Sequence, residues 1–393
     1  MNFYATAVTS TAPSQADVLV VGSGIIGLAH AALAAEAGHR VILLERDHRP
    51  VGASVRNFGH ACITAQHGEI YELAQASRRH WLHFSERAGF WASPTGSVVI
   101  ARSEVEIQVL REFSASRPQG QVSLLNRSEV LEQLRLPAET PLIGGAFLCD
   151  DLRVDPRTAA GSLNLWLAEH PHVEVLNGTA ATNFAPGTHR RHAVHTTRGT
   201  FEADQVFVCV GHDVDYLFPQ IAKEHNLVRC ALQMVAAKPT EQVDVTPAVL
   251  TGTSMLRYDA FSHMPSYPQL QREISANQPE LMQIGANVMY TQRPDGTFLL
   301  GDSHSYASTQ PPFLQEDISN VLLGELAKVL PATEAPSERW QGVYASSTRG
   351  PLLIRDLRDG LTIVSVTSGI GMTIGFGLAE ANLKSRVFTP SRS

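Results

Sequence analysis

Eight residues near the start of the chain, Val20-Val21-Gly22-Ser23-Gly24-Ile25-Ile26-Gly27, set glycines at the first, third and sixth places of a GxGxxG run. Where such a run joins a strand to a helix it can hold a dinucleotide pyrophosphate, because each glycine meets a separate need. Gly22 permits the tight turn. Gly24 lets backbone N–H groups approach an anion at the positive helix end, and Gly27 allows helix and strand to pack closely. Glu45 closes the next strand, near the spacing at which an acid accepts hydrogen bonds from adenosine ribose hydroxyls. Nicotinamide and flavin dinucleotides share this fingerprint, so it names the ligand class and leaves the cofactor open.

The fingerprint requires a βαβ unit, and the flanking sequence supplies one. Asp17–Val21 is a β-branched strand, residues 24–37 form a small-residue helix stopped by Gly38, and Val41–Glu45 is the second strand. Helices are expected over 70–89 and 155–170, with strands over 96–101, 173–176 and 205–210. Alternating stretches between Cys230 and Asp302, such as Phe298–Leu300, predict a mostly antiparallel sheet. A last strand over 362–366 leads through the Gly369–Gly371 turn into a helix reaching Leu383. The expected class is α/β (α+β): a Rossmann-like cofactor lobe and a second, mostly antiparallel β-sheet substrate lobe. Residues 17–90, 145–228 and 325–390 are assigned to the first lobe and 91–144 and 229–324 to the second. Residues 1–16 are expected to be a loose leader.

A chain of 393 residues is long enough for two lobes with substantial cores. The balance of 31 Lys and Arg against 38 Asp and Glu, a net charge of -7, gives no electrostatic reason for a nucleic-acid partner. Cys62, Cys149, Cys209 and Cys230 form neither a CxxC pair nor a ligand cluster with nearby histidines, so no metal is expected. The apolar stretch Val18–Ala35 lacks the basic start of a signal peptide, and no other stretch has ~20 apolar residues in a row. No membrane span is expected, and the expected address is the cytoplasm.

Further along, Glu45-Arg46 is followed by Gly52-Ala53-Ser54-Val55-Arg56-Asn57-Phe58-Gly59. Val208-Cys209-Val210-Gly211-His212 and Ser368-Gly369-Ile370-Gly371-Met372-Thr373 occur later. In these segments the chain resembles the superfamily of D-amino acid oxidase, glycine oxidase and sarcosine oxidase, over nearly its whole length from Asp17. The resemblance implies an FAD-binding lobe. It places Gly22, Ser23, Gly24, Ile25, Ile26, Gly27, Glu45, Arg46, Ala53, Ser54, Asn57, Phe58, Gly59, Ala181, Val210, Gly211, Gly369, Ile370, Gly371, Met372 and Thr373 on the cofactor. Ser54 and Asn57 also read simply as turn formers, and Gly369 and Gly371 as helix caps. The last third has no Cys to form a thioether, so FAD is expected to be noncovalent, with His60 beside Gly59 as the remaining candidate for a covalent link.

Within that superfamily an arginine shortly after a C-terminal glycine clamps the substrate carboxylate. Here the stretch reads Trp340-Gln341-Gly342-Val343-Tyr344-Ala345-Ser346, which puts Tyr344 at that place and leaves Arg349 nearby. A narrower group is more similar: the flavoproteins associated with 2-aminoethylphosphonate breakdown. The shared segments are Ser54–Gly59, Leu256-Arg257-Tyr258, Gly301-Asp302-Ser303-His304 and Gly342–Ser346. This resemblance implies oxidation of 2-aminoethylphosphonate or its N-methyl derivative to phosphonoacetaldehyde, by hydride transfer to flavin N5 and imine hydrolysis. Oxygen or another acceptor would then reoxidise the flavin. His60, Arg257, Tyr258, His304, Tyr344 and Arg349 are the candidate substrate contacts. His304 and Tyr344 are also the candidate catalytic groups, His304 by tuning the amine's protonation. Two alternatives stay open: a D-amino acid, glycine or sarcosine type enzyme, and a flavin subunit without turnover of its own.

Overall fold

The computed structural model of the chain describes residues 14–387. Its first strand, Ser14–Val21, starts before the expected Asp17, because Ser14, Gln15 and Ala16 pair with Phe201, Glu202 and Ala203. The leader expected over 1–16 therefore loses its last residues to the sheet, and residues 1–13 lie outside the described ones.

Alternation explains how this strand fills two cores at once. Successive side chains of a strand point to opposite faces. Val18 and Val20, with Val41 and Leu43, are buried against the helices Ile25–Glu36, Gly68–Ala88 and Gly371–Arg386. Leu19 and Val21, with Ile42 and Leu44, are buried on the other face against Val194, Val214 and Ala222. A strand covered on both sides belongs inside a parallel sheet. Val41–Leu44 and Gly199–Val208 flank Ser14–Val21 in parallel, and Val173–Leu176 and Leu361–Val366 extend the run outwards. The glycine turn thus emerges at the carboxyl end of a central strand, where open parallel sheets hold their ligands.

The second sheet has nine strands, and its pairings are antiparallel except for Ala248–Leu250 beside Ser97–Ala101. Its long strand Leu227–Ala237 pairs with Phe298–Gly301 and Ser305–Ala307, and also with Glu338–Ser347 along almost its full length. Gly144–Leu148 lies between Ser97–Ala101 and Val122–Asn126. These two memberships move expected limits: Gly144–Leu148 and Glu338–Ser347 belong to the second sheet, although 145–228 and 325–390 are assigned above to the cofactor lobe. The partner of Glu338–Ser347 is remote in sequence, so local patterning does not reveal it.

A short three-stranded sheet made of His60–Ala61, Ala92–Ser93 and Leu152–Val154 sits by the junction. There the loop at 53–58 meets the strand Glu338–Ser347. Trp340 Nε1 donates to Arg56 O at 3.2 Å, and Arg56 Nη1 donates to Gln341 O at 3.2 Å. No helix of the described residues is long and apolar enough to cross a membrane.

Candidate active site

One cavity of about 430 Å³ runs from the glycine turn to the second sheet. At the glycine turn, Gly22 has φ +101°, and a Cβ there would stand 2.6 Å from the Cys209 carbonyl oxygen. A Cβ at Gly27 would stand 1.8 Å from the Gly22 carbonyl oxygen, so the close helix-to-strand approach inferred from the sequence is present. Glu45 is buried, and its carboxylate accepts hydrogen bonds from Ser23 N (2.8 Å), Ser23 Oγ (2.7 Å) and Asp47 N (2.9 Å). The carboxylate is thereby fixed in orientation at the end of the second strand. Ser23 itself is fully buried beneath the turn and does not line the cavity.

The loop after Gly52 divides its work. Ser54 Oγ accepts from Ile25 N at 2.8 Å, which caps the helix that follows the glycine turn and leaves the hydroxyl proton free. Asn57 folds the loop onto itself: its Nδ2 donates to Ala53 O (2.9 Å) and Ser54 O (3.0 Å), and its Oδ1 accepts from Gly59 N (2.8 Å). Gly59 has φ +68° and packs against Val154 and Pro156 outside the cavity. Arg46 pairs with Asp213 on the cavity wall. Ala181, Val210 and Gly211 line the wall with Gly369, Ile370, Gly371, Met372 and Thr373. The last three open the final helix, so its positive end lies at the cavity. Cys62 N donates to Thr373 Oγ1 at 3.1 Å, and Trp81 Nε1 donates to Met372 O at 2.7 Å.

At the other end the second sheet contributes a polar cluster. Arg257 follows the short helix Gly252–Met255 and lines the cavity, where its Nη2 donates to Tyr344 Oη at 2.7 Å, while its Nη1 donates to the exposed Tyr306 Oη at 3.2 Å outside the cavity lining. Burial works against its charge, but Tyr344, Tyr306 and Asp302 outweigh it and hold the guanidinium above its ordinary pKa. Burial pushes the Tyr344 and Tyr258 phenols far up, so both stay neutral. A Cβ at Gly369 would stand 2.9 Å from the Tyr344 ring, so this glycine lets the turn before the final helix lie against that tyrosine. His304 Nδ1 donates to Gly285 O at 2.8 Å, and burial and then Arg257 hold its pKa well below the ordinary histidine value. Its ring is neutral, with Nε2 as the remaining acceptor.

His60 lines the cavity near Tyr258, the ring centres being 6.4 Å apart, and its Nε2 meets Asp151 Oδ2 at 2.9 Å. Asp151 also accepts from Ile63 N, Thr64 N and Ser97 Oγ. Burial alone would raise its pKa. Hydrogen bonds from His60, Ser97 and Thr64 more than offset that and hold the carboxyl below its usual value. Ligand atoms of Cys62, His60 and Asp151 lie within 4.8 Å of one another, which corrects the reading of the four cysteines as remote from any ligand set. Folding creates this grouping because Asp151 immediately precedes Leu152–Val154, the strand that pairs antiparallel with His60–Ala61. Arg349 is a second correction. It lies on the exposed turn after Glu338–Ser347 and does not line the cavity, because the strand ends before it and carries Tyr344 inward instead.

The family model described as FAD dependent oxidoreductase (DAO) matches residues 17–382. The chain belongs to this family. No curated protein sequence matches it. Among solved structures, glycine oxidase from Geobacillus kaustophilus is similar with a TM-score of 0.75 at 20% identity, covering 95% of each chain. L-proline dehydrogenase from P. horikoshii gives 0.75 at 17% identity over 96% of each chain. The FAD-bound L-α-glycerophosphate oxidase from Mycoplasma pneumoniae gives 0.73 at 18% identity over 95% of each chain. These likenesses establish a shared fold.

The residues present fit FAD. The glycine turn offers its backbone, Glu45 an oriented carboxylate, and the wall from Val210 to Thr373 continues without a break to the second sheet. Cavity residues that sequence reasoning missed include Thr179, Ala180, Leu232, Asn287 and Asp302. Thr179 and Ala180 carry no motif of their own. Asp302 stands inside a segment quoted for the resemblance, and its signal was an acid at the end of an apolar strand.

Proposed function

We propose that this oxidoreductase acts on a small primary or secondary amine bearing an anionic group. Its first candidates are 2-aminoethylphosphonate and N-methyl-2-aminoethylphosphonate, each giving phosphonoacetaldehyde with release of ammonia or methylamine. The observation that carries this reading is Arg257, a permanent cation inside the cavity whose planar fork is held by two tyrosine hydroxyls. Such a fork, with neutral phenols beside it, suits a phosphonate or carboxylate. Bound FAD supplies a hydride acceptor at N5. The chain's own residues would anchor the anion at Arg257 and Tyr344, hold the amine end towards the flavin, and limit water until the imine is ready to hydrolyse.

A second reading, an amino acid oxidase or dehydrogenase, also draws on Arg257, since the fork accepts a carboxylate equally well. The variant of that reading in which Arg349 makes the clamp is disfavoured by the exposed position of Arg349. Anaerobic bleaching of the flavin absorbance separates the readings, using both aminophosphonates, sarcosine, glycine and a set of D-amino acids. Reduction by the aminophosphonates alone is the expected result, and reduction by amino acids alone would overturn it. Reduction of the isolated chain by any of them would exclude a flavin subunit without turnover.

A further inference from the structure

Asp302 has a place that folding alone does not account for. It follows the strand Phe298–Gly301, and its backbone exchanges two hydrogen bonds of 2.8 Å with the backbone of Asn287. Its side chain is 5% exposed, lines the cavity and leaves Oδ1 buried without a partner. Asn287 is itself held, since Ser254 Oγ donates to its Oδ1 at 2.7 Å, which turns its amide N–H towards Asp302. The titratable groups facing the carboxyl are Arg257, Tyr258, Cys230 and His304, with His304 Nε2 at 3.9 Å from Oδ2. Only Arg257 among them is charged. A buried carboxylate oxygen without a donor is costly, and such groups in native proteins usually have a partner or a task.

We propose that the Asp302 carboxylate, which lines the cavity beside Arg257, binds the substrate's ammonium group and takes its proton, so that a free amine stands in the cavity before its C–H bond breaks. This inference rests on the amine reading above, and it assigns the base that reading lacks. The N–H bond breaks with its electron pair returning to nitrogen, and the proton forms an O–H bond on the Asp302 carboxylate. Bound FAD would supply the acceptor for the C–H hydrogen and its two electrons as the nitrogen lone pair closes the C=N bond. Water adds to that bond, giving the aldehyde and the released amine.

Burial raises the Asp302 carboxyl to about 7, against the opposing pull of Arg257 and the Asn287 amide. That closes about half the gap between an ordinary aspartate near 4 and an alkylammonium near 10. His304 is the weaker candidate, because its Nδ1–H is engaged by Gly285 and its basicity is lowered by burial and by Arg257.

Asp302→Asn keeps the shape and removes the base. With whichever amine reduces the wild-type flavin, the anaerobic reduction rate at saturation is measured against pH. The wild type is expected to lose rate on the acid side of neutrality. In Asp302→Asn that limb should move up towards the amine's own pKa, with at least ~100-fold loss at neutral pH and recovery in alkali. An unchanged limb in the variant would overturn the assignment while leaving the amine reading intact. Infrared titration of the flavin-loaded protein without substrate should show a protonated-carboxyl stretch fading through neutrality, absent from Asp302→Asn; no such band would also overturn it. If no amine reduces the wild-type flavin, the amine reading fails and takes this role with it, and the infrared titration tells that failure apart from an Asp302 that never titrates. Should the asparagine variant fail to load flavin, Asp302→Ser provides the same comparison.

Discussion

Residue by residue, the polar end of the cavity depends on Arg257 and Asp302, and each makes a different measurable demand. A charge-assisted hydrogen bond contributes ~1.5–3 kcal/mol. Arg257→Ala should therefore weaken binding of an anionic amine by roughly 10- to 100-fold, read from the concentration dependence of flavin reduction. Binding of a neutral alkylamine should change little; an equal loss for both would mean that Arg257 supports the fold rather than the anion. Arg257→Lys keeps the charge without the planar fork held by Tyr306 and Tyr344, so it should restore only part of the affinity. Asp302 makes its demand on stability. Its folded pKa of about 7 lies above the unfolded value of about 4, so the folded state binds the extra proton between them. The stabilisation is fully present below about pH 4 and is lost as pH rises through about 7, on the order of 4 kcal/mol at most. Urea unfolding of the apoprotein at about pH 5 and about pH 8 should show a larger decline in wild type than in Asp302→Asn. Parallel declines would mean that the carboxyl is ionised throughout.

Between elements, close backbone approach is what holds the helices over the cofactor sheet. Gly27 was visible in the sequence because its role belongs to a local motif. Gly377 was not. A Cβ at Gly377 in the final helix would stand 2.0 Å from the Leu73 carbonyl oxygen, so this glycine sets how closely the helices Gly371–Arg386 and Gly68–Ala88 pack. That partner is remote in sequence, and nothing local signals it. Gly377→Ala should force the helices apart and cost about 1–3 kcal/mol, in the range for overpacked cores. Gly161, within the helix Pro156–Ala168, has nothing within 4 Å of an added Cβ. Gly161→Ala should instead stabilise by about 0.5–1 kcal/mol through helix propensity. Thermal unfolding of the two variants should move in opposite directions, and a shared direction would refute the packing argument.

Across the whole molecule, the parallel core was legible because Val18–Val21 and Val41–Leu44 are continuous apolar runs with a glycine turn between strand and helix. The second lobe was legible in kind but less so in extent. Its long strand Leu227–Ala237 takes Glu338–Ser347 as an antiparallel partner, a pairing no local period can announce. The cavity inherits the same discontinuity, since its walls come from the glycine turn, the loop after Gly52, Thr179–Ala181, Val210–Asp213 and Val364–Thr373. A ligand touching all of these ties remote segments together and binds only the folded chain. FAD should therefore raise the unfolding temperature in a concentration-dependent way, with ~2.7 kcal/mol of added stability at a hundredfold excess over Kd. Glu45→Gln tests which end matters most. Replacing one carboxylate oxygen with an amide sets a donor against Ser23 N–H or Asp47 N–H and removes the charge that would bind the ribose. Its FAD affinity should fall roughly 10- to 100-fold, and the titration of unfolding temperature should shift to higher FAD by the same factor. The same mismatch should also cost the apoprotein about 1–3 kcal/mol, so the FAD titration is read against the variant's own apo unfolding temperature. If the FAD titration were unmoved, Glu45 would be serving the turn alone, and if acid denaturation left the flavin attached, the cofactor would be linked covalently rather than by this cradle.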